Sequence, residues 1–312
     1  MKELGIDTQG MLEINKPWNA GNKWRYEMMM DIMFRNSKAS YSSAPAAHDC
    51  KTLPGGNLLT LVGNGAGRAQ KAEGDKWGRF CWQTIIGARD EGVIVITAYR
   101  VCQEARDNPG PYTAYTQQYT AMREQGVQKP NPRKQILTDL LALIREKRLE
   151  GYKPILMMDA NGDDNYEDDI DQDLKQFIED AHLVDHFHEK FPEPSRTYTR
   201  GKKRLDRILF DSALVGAIER IGYLGTHEGQ FSDHVYAYVD FNEKKLFRGE
   251  INRPVDLYSR EFLIEQTDKM VAFQKVLEKS LKLNLVKERV FNLAKSFAQT
   301  KQNVRAYQKL DA

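Results

Sequence analysis

Four short polar groupings in this chain carry side chains able to move protons, hold a metal ion or polarise a phosphate. Asp159 and Asn161 stand two residues apart in Met157-Met158-Asp159-Ala160-Asn161-Gly162, on the same side of an extended chain, where an apolar stretch opens into a loop. A carboxylate and an amide so placed can reach one small ligand. Ser232-Asp233-His234 sets a hard oxygen ligand beside an imidazole, immediately before the apolar run that starts at Val235. Arg204-Leu205-Asp206 carries a third acid into another apolar run, where a buried carboxylate needs a partner such as an imidazole N–H. Leu12-Glu13-Ile14-Asn15 offers a fourth acid near the start. Any one of these alone reads equally well as a turn residue at the end of a strand.

The elements that position these groups follow from hydrophobic period. Asn57 to Gly63, Phe80 to Ile86, Val93 to Tyr99, Pro154 to Asp159, Arg204 to Phe210 and Val235 to Phe241 are apolar runs of strand length. Phe80 to Ile86 and Val93 to Tyr99 are joined by the polar, Gly-bounded segment 87–92, which suits an antiparallel hairpin. Asn131-Pro132 is an N-cap followed by Pro at the first helical position, and Ile136, Leu137, Leu140, Leu141 and Ile144 make one apolar stripe ending near Gly151. Segment 171–181 repeats the pattern with Leu174, Phe177, Ile178 and Ala181. Strands in hairpins interrupted by helices predict an α+β fold, a two-layer β-sandwich flanked by helices. From Asp256 onward Met270, Phe273, Leu277, Leu281, Val286, Val290 and Phe297 recur at helical spacing, which predicts a helical extension. The expected organisation is one domain over 1–242 and a helical, basic extension over 243–312.

Composition narrows the class. Hydrophobic residues at 41% and charged residues at 29% exclude a disordered or collagen-like chain. No apolar run approaches the roughly 18 residues of a bilayer helix, and the start lacks a secretion-signal pattern. The expectation is an intracellular protein that binds no membrane, with the nucleus among its compartments. Cys50, Cys81 and Cys102 are odd in number and widely spaced, which reads as buried free thiols. The net charge of +2 hides an asymmetry, since residues 1–242 hold 31 Lys+Arg against 35 Asp+Glu while 243–312 hold 15 against 9. Seven acids between Asp163 and Asp173 read as a solvated loop, because the run lacks the mid-loop Gly and terminal Glu of a calcium loop. His182, His186 and His188 lack the companions of a zinc site and read as surface or helix-end residues. Trp77 and Trp82 read as core or sheet-face aromatics.

The order of the motifs is specific. Glu13, then Tyr99 in Thr97-Ala98-Tyr99, then Asp159-Ala160-Asn161, then Arg204-Leu205-Asp206-Arg207-Ile208-Leu209, then Ser232-Asp233-His234 resembles the endonuclease/exonuclease/phosphatase superfamily, which includes deoxyribonuclease I and the abasic-site endonucleases. Gly55-Gly56 and Gly78-Arg79-Phe80 add to the resemblance, which covers about residues 5 to 242. Within the superfamily, Tyr99-Arg100-Val101-Cys102-Gln103 and Pro132-Arg133-Lys134-Gln135 are most similar to endonuclease-like domains of retrotransposon polyproteins. The resemblance implies a deoxyribonuclease I-like fold with Glu13 and Asp233 as ligands of Mg²⁺, or of Mn²⁺. It implies that Asp159 orients or deprotonates the attacking water beside Asn161. His234 would contact the phosphoryl oxygen with Asp206 fixing its tautomer, and Tyr99 would donate to the same phosphate. The implied partner is nucleic acid, DNA foremost, and the implied reaction is metal-dependent hydrolysis of phosphodiesters.

Two departures from the superfamily pattern stand out. Only twelve residues precede Glu13, where the superfamily has a first strand bearing an Asn and then a helix. Gly5-Ile6-Asp7 therefore reads as the tail of that helix, and the expectation is a truncated domain whose Val235 to Phe241 strand lacks its usual neighbour. Leu12 replaces a common Gln. Two further functions compete with the leading one. Leu205-Asp206-Arg207-Ile208-Leu209 partly resembles the motif of inositol and sphingolipid phosphatases, although Leu205 stands where those have Trp. A retroelement fragment without catalysis is the other.

Overall fold

Gly92–Tyr99 (β6) is buried along its whole length, and Tyr152–Asp159 (β7) nearly so. These strands form the centre of the protein, seen here in a computed structural model that describes residues 1, 5–34, 36–43, 55–88, 91–102, 110, 112–163, 171–191, 196–224, 232–249, 267–283 and 285–299. Both lie in a six-stranded sheet with Ala69–Gly74 (β4), Phe80–Ile86 (β5), Leu183–Val184 (β8) and Asp206–Asp211 (β9), in the order β4-β5-β6-β7-β9-β8. The continuous apolar sequence of β6 follows from cover on two faces. Ile94, Ile96 and Ala98 meet Leu156, Met158 and the helix residues Ile136, Leu140, Ile144, Leu174 and Phe177. Val93 and Val95 turn the other way, into a core with Leu59, Leu61, Ile155, Phe210 and Ile221.

That second core is closed by two smaller sheets. One orders Thr8–Leu12 (β1), Asn57–Val62 (β3) and Ser37–Ser42 (β2) as β1-β3-β2; the other pairs Ile218–Tyr223 (β10) with Ala237–Phe241 (β11). The result is the expected α+β sandwich flanked by helices. Among the described residues β1 bonds only to β3, and β11 only to β10.

The helix Pro132–Leu149 begins as expected, with Asn131 Oδ1 accepting from the Lys134 amide at 3.2 Å. Several boundaries differ from expectation for local reasons. The strand expected from Arg204 starts at Asp206, because the amides of Leu205 and Asp206 donate to Thr197 Oγ1, each at 2.9 Å, and that of Arg204 to Asp163 Oδ2 at 3.0 Å. The strand expected from Val235 starts at Ala237, since the Val235 amide is taken by the Thr197 carbonyl at 2.7 Å. Gly5 and Asp7 form a turn and a bend, not the end of a helix, with Gly5 at φ +63°.

The acidic run is not simply a solvated loop. Asp163 is buried against Arg207 at 3.0 Å, and Asp171 caps the helix Gln172–Asp180 while gripping Arg100 at 2.6 Å. Residues 164–170 between them lie outside the described residues. Cys81 is buried, Cys102 is half-buried and Cys50 lies outside the described residues. Trp77 and Trp82 are both core residues.

Compaction divides the chain at Pro254. The first unit runs past the expected boundary at 242, because the helix Glu243–Leu246 delivers Phe247 into the second core and Glu243 pairs with Arg68 at 2.8 Å. Among its described residues the second unit contains two helices, Thr267–Leu283 and Val286–Gln299, with Phe273, Val276, Leu277, Val290 and Phe291 exposed. No helix among the described residues is long and apolar enough to cross a membrane.

Candidate active site

Strand register brings three of the expected site residues into one row. Parallel pairing of β6 with β7 sets Tyr99 opposite Asp159, and antiparallel pairing of β7 with β9 sets Asp159 opposite Asp206. Residues directly opposite project from the same face of a sheet, so a phenol and two carboxylates stand side by side at the end of the central strands. His234 completes the row from a loop, its Nδ1 lying 2.7 Å from Asp206 Oδ2. Ligand atoms of Asp159, Asp206 and His234 all fall within 4.8 Å of one another.

Each residue is fixed by its surroundings. Asn161 adopts a left-handed backbone, φ +44°, which Asn tolerates better than most residues. The turn so formed lets its amide donate to Asp159 Oδ1 at 3.0 Å and its Nδ2 to Asp159 Oδ2 at 3.2 Å and to the Arg100 carbonyl at 2.7 Å. At Gly162 a β-carbon would fall 2.3 Å from Asp171 Oδ2, so no other residue fits without movement.

Glu13 leaves β1 with φ +50°, and the turn is pinned by Gly55-Gly56. The amides of Ile14 and Asn15 donate to the carbonyls of Gly56 and Gly55 at 3.2 and 2.9 Å, and the Gly55 amide returns a bond to Asn15 Oδ1 at 2.8 Å. Gly55 sits at φ +88° with its α-carbon facing the Tyr99 ring. Against burial, which raises the Glu13 pKa, the Tyr99 hydroxyl acts to lower it, and Leu12 packs with Tyr99, Val101 and Ala114.

Asp233 and His234 are held by the segment around Thr197. The Thr199 amide donates to the Asp233 carbonyl at 2.9 Å, and Tyr198 bridges to His234 with ring centroids 5.1 Å apart. One residue, Thr197, thereby ties the start of β9 to the loop carrying the histidine, its hydroxyl accepting from the amides of Leu205 and Asp206 and its carbonyl from that of Val235.

The electrostatics follow from this crowding. The hydrogen bond that His234 donates to Asp206 raises the His234 pKa to about 9, against the opposing effect of burial. Burial and then the Asp206 charge push Asp159 well above the usual carboxylate range. Burial raises Glu13 too, with Asp233 adding repulsion, although part of its side chain stays open to solvent. Burial followed by Glu13 and Asp159 raises Tyr99, which stays a donor. Acids raised by their environment and by one another fit a cation between them, and an all-oxygen pair such as Glu13 and Asp233 suits Mg²⁺ or Mn²⁺. The ligand atoms of Asp206 and His234 are engaged with each other, which leaves Glu13 and Asp233 the better holders.

Four further residues shape the site without having been singled out as site residues by the sequence. Arg100 and Arg133 clamp the Asn161 turn, Arg133 donating to the Asn161 carbonyl at 3.1 Å, and Asp171 neutralises both. Thr197 is the fourth. Arg100 adjoins Tyr99 and Arg133 opens a helix, but only the tertiary fold reveals that they meet. His186 pairs with Glu189 at 2.7 Å and His182 ends a helix; neither enters the site.

No family model and no curated protein sequence matches the chain. Solved structures do. The 3′ phosphatase NExo from Neisseria bound to product DNA hairpin superposes with a TM-score of 0.52 at 17% identity, over 76% of this chain and 89% of that one. The 3′-5′ exonuclease NExo from Neisseria meningitidis gives 0.51 at 17% identity, over 76% and 89%. An AP endonuclease from Archaeoglobus fulgidus gives 0.50 at 14% identity, over 77% and 91%. At these identities the likeness is one of fold, and that fold is the endonuclease/exonuclease/phosphatase fold of the resembling motifs.

Proposed function

We propose that this chain is a divalent-metal-dependent phosphodiester hydrolase acting on nucleic acid, DNA foremost, at the row formed by Tyr99, Asp159, Asp206 and His234. The observation that carries the reading is the Asp159–Asp206–His234 cluster, because it sets a proton acceptor and a charged donor within 4.8 Å of each other. Asp159, made more basic by burial, accepts the proton of an attacking water, and Asn161 fixes its orientation. His234, charged at neutral pH through Asp206, donates to a non-bridging phosphoryl oxygen. Tyr99 donates beside it. A Mg²⁺ or Mn²⁺ ion held by Glu13 and Asp233 would supply Lewis-acid charge to the same phosphate. The DNA-bound and DNA-processing proteins that share the fold support a nucleic-acid substrate. A retroelement origin is consistent with the motifs at Tyr99 and Pro132 and is part of the same proposal.

Supercoiled plasmid incubated with the protein and Mg²⁺ tests this reading. Relaxed or linear product that disappears on adding EDTA is the expected result. Intact plasmid together with phosphate released from inositol phosphates would replace it with the phosphatase reading, and no product from either substrate would leave a protein without catalysis.

A further inference from the structure

The segment from Arg196 to Arg207 holds Arg196, Arg200, Lys202, Lys203, Arg204 and Arg207; Lys203 is half-buried, and the fold sorts the other five into two groups. Arg204 and Arg207 turn inward. Arg204 is bound by Asp185, and Arg207 by Asp185 at 2.9 Å and Asp163 at 3.0 Å; both arginine side chains are almost fully buried. Arg196, Arg200 and Lys202 turn outward and are exposed. Anchoring and display are therefore divided within one short stretch, and the displayed charges are not needed for the internal pairs.

Their place relative to the site is fixed. The turn from Tyr198 to Gly201 is closed by the Gly201 amide donating to the Tyr198 carbonyl at 3.1 Å. A β-carbon at Gly201 would stand 3.0 Å from the Tyr198 ring, which itself lies against His234. Thr197, beneath the turn, is fully buried and bonds to both β9 and Val235. Arg200 reaches to 3.9 Å from Asp233 while its side chain stays 77% exposed. A pair that open to solvent contributes little to stability, so Arg200 remains able to take another anion.

We propose that the Tyr198–Gly201 turn, with Arg196, Arg200 and Lys202, is a ledge that binds the phosphates of a nucleic-acid strand flanking the bond in the site. This rests on the nucleic-acid reading above and adds the side on which the strand lies. Arg200 beside Asp233, with two further exposed cations on the same short stretch, matches a polyanion with one charge per about 3.4 Å of axis in each strand. A single phosphorylated head group offers nothing for cations displaced along the turn.

The test is binding of a fluorescent single-stranded DNA oligonucleotide to the full chain in EDTA, followed by anisotropy at several salt concentrations. In the Arg196→Ala/Arg200→Ala/Lys202→Ala variant the slope of log affinity against log salt falls by about 2, three contacts at roughly 0.7 each. Replacing both arginines by lysine keeps the parent slope. An Arg123→Ala/Lys175→Ala control, exposed on other elements, also keeps it. Equal slopes in parent and triple variant, with thermal unfolding showing both folded, overturn the ledge while leaving the hydrolase reading intact. A parent that binds no oligonucleotide, yet hydrolyses a phosphorylated head group, overturns both.

Discussion

Asp206 and His234 form the ion pair on which the proposed chemistry rests, and the pair makes a prediction about protonation. Because Asp206 lifts the His234 pKa to about 9, an Asp206→Asn variant should return it toward the ordinary value near 6.5. Two-dimensional NMR titration of the imidazole reads this directly, and an unchanged pKa would reject the pairing. The stability linkage has the same sign. A pKa raised by folding contributes stability that is fully present below about 6.5 and is lost as pH rises through about 9, so the parent should lose more stability than the variant across that window. Glu13 behaves in the opposite sense, since burial raises a carboxyl that must be ionised to hold a cation. In metal-free buffer Glu13→Gln should be at least as stable as the parent. Mg²⁺ should raise the Tm of the parent and leave that of the variant nearly unchanged; an equal Mg²⁺ shift in both would remove Glu13 from the metal site.

At the scale of elements, the ion-paired residues behind the loops decide whether the row keeps its geometry. Asp171 serves three partners at once, capping a helix and neutralising Arg100 and Arg133. Asp171→Ala should cost about 3–5 kcal/mol, because it leaves two buried guanidinium groups uncompensated, and urea unfolding would measure it. A loss below about 1 kcal/mol would mean the clamp is not holding the Asn161 turn. Such clamps were hidden in the sequence, where Arg100, Arg133 and Asp171 are far apart and look like ordinary surface charges. What was legible had a local signature. Strands β5, β6 and β7 showed as apolar runs, and the helix from Pro132 announced itself by cap and stripe. The helix Ala20–Met33 did not, since Met30 is its only buried residue while Trp24, Met28 and Ile32 are exposed. The strands β2 and β4 were missed because Ser-Lys-Ala-Ser-Tyr-Ser and Ala-Gln-Lys-Ala-Glu-Gly carry too little apolar alternation. In the site, residue types and order pointed to Glu13, Tyr99, Asp159, Asn161, Asp206, Asp233 and His234, and the fold brings these together. The row itself depends on strand register, which no single segment encodes.

For the whole molecule, net charge differs by segment. The body through residue 242 carries a slight acidic excess and the remainder a basic one, while within the body exposed Arg200 lies 3.9 Å from Asp233. Encounter with a polyanion should therefore depend on ionic strength, and kcat/KM on DNA should fall steeply with added salt while hydrolysis of a small neutral-leaving-group diester changes little. The proposed activity comes down to one metal-dependent site built around Asp159 that cleaves phosphodiesters. The measurement that tests it most directly is cleavage of an end-labelled oligonucleotide by the parent and by Asp159→Asn, each in Mg²⁺ and in excess EDTA. Cleavage by the parent in Mg²⁺ alone and a loss of about 10²-fold or more in the variant are the expected results. Cleavage undiminished in EDTA, or an Asp159→Asn protein that cleaves at the parent rate, would contradict it.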